Sequence, residues 1–331
     1  MGVRPAARLP CATMSVPPPA VRTGSLFAML AERPVMAGVL GAMSIAFSGI
    51  LVRLADVEPA TAAIFRCAYA LPALGIIALL ERRRYGPRPA AQMRLAMLAG
   101  VFLALDLVIW HHTIGLVGAG LATVLGNTQV VIVASLAWLV LGERPPRRTL
   151  LALPVVLGGV VLISGAVGTG AYGSNPGLGV VLGLVVGLVY AVFLLVLRRG
   201  NADLRRPAGP LFDATLIGAL ASLLIGLPLG EVNLVPTWPA HAWLLVLALS
   251  SQVVGWLIIS VSLPRLPAAL TSVILTLQPV GSVMLAMLLL GESPSAVQLL
   301  GAGTILVGLL LATLRFRGEP RRVPVAEPEI G

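Results

Sequence analysis

Residues Leu121–Glu143 read LATVLGNTQVVIVASLAWLVLGE, and residues Leu270–Glu292 read LTSVILTLQPVGSVMLAMLLLGE. Laid over each other without a gap, at an offset of 149 residues, they share Leu, Val, Gln, Val, Leu, Ala, Leu and the closing Leu-Gly-Glu. A fixed-period match of this kind decides the architecture before any single residue does. The two copies lie in strongly apolar sequence, so the unit they mark is a duplicated set of membrane segments. Two weakly similar halves in a membrane chain are the signature of a secondary transporter.

Composition agrees. The chain of 331 residues is 58% apolar and 11% charged, with a mean hydropathy of +0.98. A soluble domain carries about 25% charged residues. Apolar runs of 18 or more residues recur, each long enough to cross a hydrocarbon core of roughly 30 Å as a helix. The net charge of +10 comes with 23 basic residues, all arginine and all but the mid-span Arg66 lying in loops and tails. That distribution fits membrane topology and argues against nucleic acid as a partner. Cys11 and Cys67 offer no disulfide framework, and the three histidines build no metal site. No cofactor is expected.

Hydropathy and helix breakers predict ten spans, over 34–53, 59–80, 93–114, 118–141, 148–166, 176–198, 210–230, 241–263, 267–290 and 295–316. Pro34, Pro59, Pro176, Pro210 and Pro267 stand at or near helix starts, where a missing N–H costs nothing. With a cytoplasmic N-terminus, 21 arginines fall on the inside and Arg53 alone on the outside. Basic residues favour cytoplasmic loops, so this split supports the span count and places both termini inside. Residues 34–166 and 176–316 are then two repeats of five spans each. Because five is odd, the second repeat enters from the opposite face. The expected fold is an all-α polytopic membrane protein, ten transmembrane helices in two inverted five-helix repeats. Tails 1–33 and 317–331 are cytoplasmic, and the first, rich in Pro and Arg, is expected to be disordered. Met14 competes with Met1 as the start. The charge asymmetry points to a bacterial cytoplasmic membrane.

The chain resembles the drug/metabolite transporter superfamily, and within it the EamA family. The carrying residues in the first half are Arg66, Ala122-Thr123, Leu141-Gly142-Glu143 and Gly158-Gly159. In the second they are Leu270-Thr271-Ser272, Gln278-Pro279-Val280, Leu290-Gly291-Glu292, Gly301 and Gly308. The resemblance implies transport of small metabolites, often export of amino acids or drug-like solutes. Family members often carry a proline in the middle of the fourth span. Here Val130 follows Gln129, so a proline kink is expected only at Pro279.

Ionisable side chains inside a bilayer are costly and mark functional sites by default. Arg66 lies about 10 Å and Asp106 about 12 Å from the outer ends of consecutive spans, at 1.5 Å per residue. Two readings follow. Either they form a structural ion pair, or Arg66 holds a substrate carboxylate or phosphate while Asp106 carries a coupling proton. His111 and His112, a turn from the outer face, are relay candidates or interfacial hydrogen-bonders. Gln129 and Gln278 are repeat equivalents near mid-span and, with Asn127 and Thr276, are either candidate substrate contacts or polar groups that join helices, while Trp110 is either an aromatic wall of the site or a residue of the outer aromatic belt. Glu143 and Glu292 close the two copies on opposite faces and are read as helix-end anchors. The expected function is alternating-access transport, most simply export, of a small metabolite or drug-like solute, with the lipid bilayer as the chain's surroundings. A non-transporting sensor or scaffold and a channel-like facilitator are the alternatives. An enzyme is not expected, since no nucleophile, acid/base or metal cluster converges. Homodimerisation is left open.

Overall fold

A computed structural model of the chain describes residues 33–132, 147–201, 203, 205–262 and 268–313. The regular structure of the described residues is helical, with no strand among them. Glu143 and the expected tails lie outside them, apart from Arg33. The helices are α1 (Pro34–Ala46), α2 (Ser48–Ala55), α3 (Pro59–Tyr85), α4 (Ala90–Val117), α5 (Ala119–Gly126) and α6 (Arg147–Ile163) in the first half. The second half has α7 (Pro176–Gly200), α8 (Ala208–Leu229), α9 (Ala240–Leu247), a π-helix at Ala248–Gly255, α10 (Trp256–Ser262), α11 (Ala268–Leu290) and α12 (Ala296–Thr313). Six helical stretches are long and apolar enough to cross a membrane: Pro34–Ala55, Pro59–Tyr85, Ala90–Val117, Pro176–Gly200, Ala208–Leu229 and Ala240–Val261. Shorter apolar helices cover Ala119–Ile132, Leu150–Ile163, Ile274–Leu290 and Ala296–Ala312.

Pro34, Pro59 and Pro176 occupy first helical positions, as the sequence suggests. Before Pro176, the Asn175 side chain accepts from the Leu178 N–H at 3.1 Å and caps α7. Pro210 lies inside the first turn of α8, not at its start. Helix α3 runs on to Tyr85, so Arg82–Arg84 form its last turn, where cations favour the carbonyl end of the helix.

Packing between the halves follows the repeat. Helix α4 packs on α7, and its counterpart α9–α10 packs on α1–α2. Helix α3 lies against α8, α5 against α11 and α6 against α12, each pairing a helix with its own repeat-mate. Close approach requires small residues. A Cβ on Gly159 of α6 would lie 2.6 Å from the Gly301 carbonyl oxygen of α12, and one on Gly301 would lie 2.7 Å from that of Gly159. Two glycines thus let two backbones touch. Gly158, its neighbour, faces open space.

The expected proline kink is not what breaks the helices. Pro279 lies within the continuous α11. Three other segments are interrupted, all without proline: the first at Phe47, the fourth at Asn127–Thr128, and the eighth by its π-helix. Short side chains satisfy the loosened carbonyls. Ser48 Oγ donates to Ile45 O at 2.6 Å, Thr128 Oγ1 to Leu125 O at 2.6 Å, and Asn127 Nδ2 to Thr123 O at 2.8 Å. Hydroxyl and amide groups that compete with the main chain bend helices in this way.

Candidate functional site

The three interruptions converge on one cavity of about 80 Å³. Ser48 follows the first break, Gly126 and Asn127 stand at the second, and Trp256 follows the π-helix. Arg66, Asp106, Trp110, Tyr190 and Gln278 complete its functional lining, with residues from both halves. Asp106 of α4 and Tyr190 of α7 come from two helices packed along their length.

Arg66 is buried and held from the other half. Its Nε donates to Gln252 Oε1 at 3.1 Å and its Nη2 to Ser251 Oγ at 3.4 Å. Both partners belong to the π-helix, a conformation that recurs at functional sites. Gln252 Nε2 in turn donates to Thr215 Oγ1 at 3.2 Å. The guanidinium lies 5.9 Å from the Trp110 ring centroid, within cation–π range. Among the described residues no protein group takes up its Nη1.

Asp106 is buried too, and its Oδ1 has no hydrogen-bond partner. No ion pair joins it to Arg66. The structural-pair reading therefore lacks its contact. The cavity instead presents an anchored guanidinium and an unpartnered carboxylate as separate groups. Such an arrangement can meet two opposite charges on one small solute.

The other sequence candidates divide. Asn127, Trp110 and Gln278 line the cavity; Gln129, Thr276, His111 and His112 do not. Gln129 follows the turn at Asn127–Thr128, and its backbone comes against Gly187 of α7. Thr276 is half-buried on α11. His111 Nδ1 lies 2.9 Å from the Pro59 carbonyl oxygen, tying α4 to the start of α3. His112 Nε2 lies 3.0 Å from Glu231 Oε1 in the loop after α8. Both histidines are engaged at helix ends. Thr123 and Ser282 hydroxyls meet at 3.0 Å and join α5 to α11 beside the cavity.

Glu292 lies at a helix end of the other half. Its oxygens accept from the Ala119 N–H at 2.7 Å and the Gly120 N–H at 3.3 Å, capping α5. Burial pushes its carboxyl above the ordinary range, and the two N–H donors pull it down. Gly118 precedes α5 at φ +88°, and a Cβ there would lie 2.6 Å from Glu292 Oε2. Only glycine meets both requirements.

Two further caps escaped the sequence reading. Glu81 accepts from the Ala208 and Gly209 N–H groups at 3.1 and 3.0 Å, at the start of α8. Glu231 accepts from the Ala60 N–H at 3.2 Å, at the start of α3. Their spacing of 150 residues, close to the repeat offset, is a signal in the sequence itself. Ser251 and Gln252 carry a signal too, since with Ser250 they form a run of three polar residues inside an apolar segment.

Comparison with known proteins bears on this geometry. The chain spans about half the length of the curated relatives it matches. The Threonine/homoserine exporter RhtA of Escherichia coli (strain K12) is 28% identical over 146 residues, 43% of this chain and 48% of that protein. The protein of the same name from Salmonella typhimurium (strain LT2) is 27% identical over the same length. A crystal structure with 16% sequence identity covers 86% of this chain and 96% of its own, at a TM-score of 0.55, which shows the shared fold. The EamA-like transporter family matches residues 33–165 and again 177–314. Its members are transporters rather than enzymes, and the helices described above make this chain a multi-pass membrane protein. With both halves matched, the chain belongs to the EamA-like transporter family.

Proposed function

We propose that the chain is a secondary active exporter of a small zwitterionic metabolite, of the amino-acid class, working by alternating access. The observation that carries this reading is the separation of Arg66 from Asp106 in one cavity lined by both halves. Arg66, fixed by Ser251 and Gln252, offers Nη1 to a substrate carboxylate. Asp106 accepts the substrate ammonium or a proton. Those two occupants exclude each other, and this exclusion couples export to proton movement. Trp110, Tyr190 and Trp256 supply aromatic walls, while Asn127 and Gln278 supply neutral hydrogen-bonding groups. The names of the relatives support export of an amino acid.

In this reading ten helices cross the bacterial cytoplasmic membrane, both termini are cytoplasmic, and the repeats rock against each other about the cavity. The arginine asymmetry supports the orientation. Accumulation against a gradient would separate a carrier from a channel-like facilitator.

The test is uptake of threonine and homoserine into proteoliposomes, with and without a pH gradient. Asp106→Asn is expected to abolish gradient-driven accumulation while leaving substrate exchange measurable. Accumulation that still follows the pH gradient in this variant removes Asp106 from the coupling role.

A further inference from the structure

A second cavity, of about 380 Å³, lies away from the first, between the last turns of α3, the loop to α4, and the start of α8. Its wall changes character along α3. Gly75, Ala78 and Leu79, with Met93 and Phe212, are apolar, and Arg82, Arg88 and Arg206 follow at the arginine-rich end. Leu79 is half-exposed, and its neighbours Ile76 and Leu80 are more so, continuing the apolar face outward.

The two carboxylates in the wall are already engaged. Glu81 caps α8 through Ala208 and Gly209. Asp213 accepts from Arg88 Nη2 at 2.6 Å. The cations are only partly engaged. Arg206 Nη1 donates to the Tyr85, Gly86 and Pro87 carbonyls at 3.3, 3.0 and 3.3 Å, and its Nε lies 3.1 Å from Asp203. Arg82 is exposed and has no ion pair among the described residues. Arg88 Nη1 is buried with no hydrogen-bond partner. Gly209 keeps room for that side chain, since a Cβ there would lie 2.8 Å from Arg88 Nε.

The buried Nη1 of Arg88, left without an acceptor while Nη2 holds Asp213, shares this wall with Arg82, which has no ion pair among the described residues; together they call for an oxyanion with several acceptor atoms. A phosphate fits that demand. An apolar wall leading to it fits the acyl chain of a lipid better than a soluble phosphate. We propose that this cavity binds the phosphate of an anionic phospholipid, with Arg82 and Arg88 as its ligands and the lipid chain along Leu79, Met93 and Phe212. Basic pockets between membrane helices take up anionic headgroups by this chemistry.

Native mass spectrometry of the purified full chain tests it, with phosphatidylglycerol and phosphatidylcholine offered in equal amounts. Wild type is expected to retain phosphatidylglycerol preferentially. Arg82→Gln should lower that retention about fivefold, as loss of one arginine at an anionic lipid surface does. The double variant Arg88→Gln/Asp213→Asn, which leaves no unpaired carboxylate, should lower it further. Arg53→Gln, which alters no arginine of this cavity, should change nothing. Excess inorganic phosphate should not displace the lipid. Equal retention of the two lipids, or unchanged retention in Arg82→Gln, overturns the proposal. Displacement by inorganic phosphate overturns the lipid as its source.

Discussion

Glu81 caps the start of α8 and Glu231 caps the start of α3, so the halves exchange the same contact at helix ends. The cavity does the opposite. At the 149-residue offset Arg66 corresponds to Thr215 and Asp106 to Gly255, so neither charge is duplicated. The two Arg66 partners, Ser251 and Gln252, correspond to the apolar Phe102 and Leu103. Contacts that hold two similar halves together are needed once per half, so they repeat. On the proposed reading, the groups that meet one small solute in a shared cavity are needed once, and each buried charge is costly. Gln252 joins the two regimes, because it binds Arg66 and also its repeat-mate Thr215.

The sharpest way to break this contrast is to make the cavity symmetric. Arg66→Thr places at 66 the residue already present at 215. Transport is expected to fall by about 100-fold, the equivalent of roughly 3 kcal/mol for a charge-assisted contact. The helical fold should survive, because Gln252 keeps Thr215 as a partner. Uptake in proteoliposomes beside circular dichroism of the same sample checks both halves of the statement. Wild-type uptake would show that the charge asymmetry serves the fold.

The caps offer a milder test. Glu81→Ala and Glu231→Ala each leave helix-start N–H groups without their acceptor, and each should cost about 1 kcal/mol. Similar losses in thermal stability are expected from the two variants, measured under one detergent condition. A large loss from one and none from the other would break the symmetry of the two caps. Glu231 carries one further contact, with His112, so its loss should be slightly the greater.

How much of this was legible follows the same line. The duplicated segment, the arginine distribution and the mid-span Arg66 and Asp106 are all visible along the chain, because burial of charge and repetition leave marks in one dimension. The interruptions are another matter. A proline announces a break, yet α11 is continuous through Pro279. The breaks at Phe47, at Asn127–Thr128 and in the π-helix depend on packing between halves and on side chains that replace main-chain bonds. Neither leaves a pattern that hydropathy detects. For the same reason the Gln252 contact to Arg66, 186 residues apart, could be read only in three dimensions.

Gln129 and Gln278 supply the finest test of where repetition stops carrying chemical meaning. They are equivalent in sequence, yet only Gln278 lines the cavity. Gln129 follows a break in its helix, whereas Gln278 stands within the continuous α11. Gln278→Leu keeps the volume close and removes the polar head, so substrate affinity is expected to fall by about fivefold, one neutral hydrogen bond's worth. Gln129→Leu should change affinity by less than about twofold and act, if at all, on helix packing, where such contacts average about 0.6 kcal/mol. Competition binding of the same substrate to both variants decides between them. Equal losses would mean that the repeat, rather than the local turn, places the residues that meet the solute.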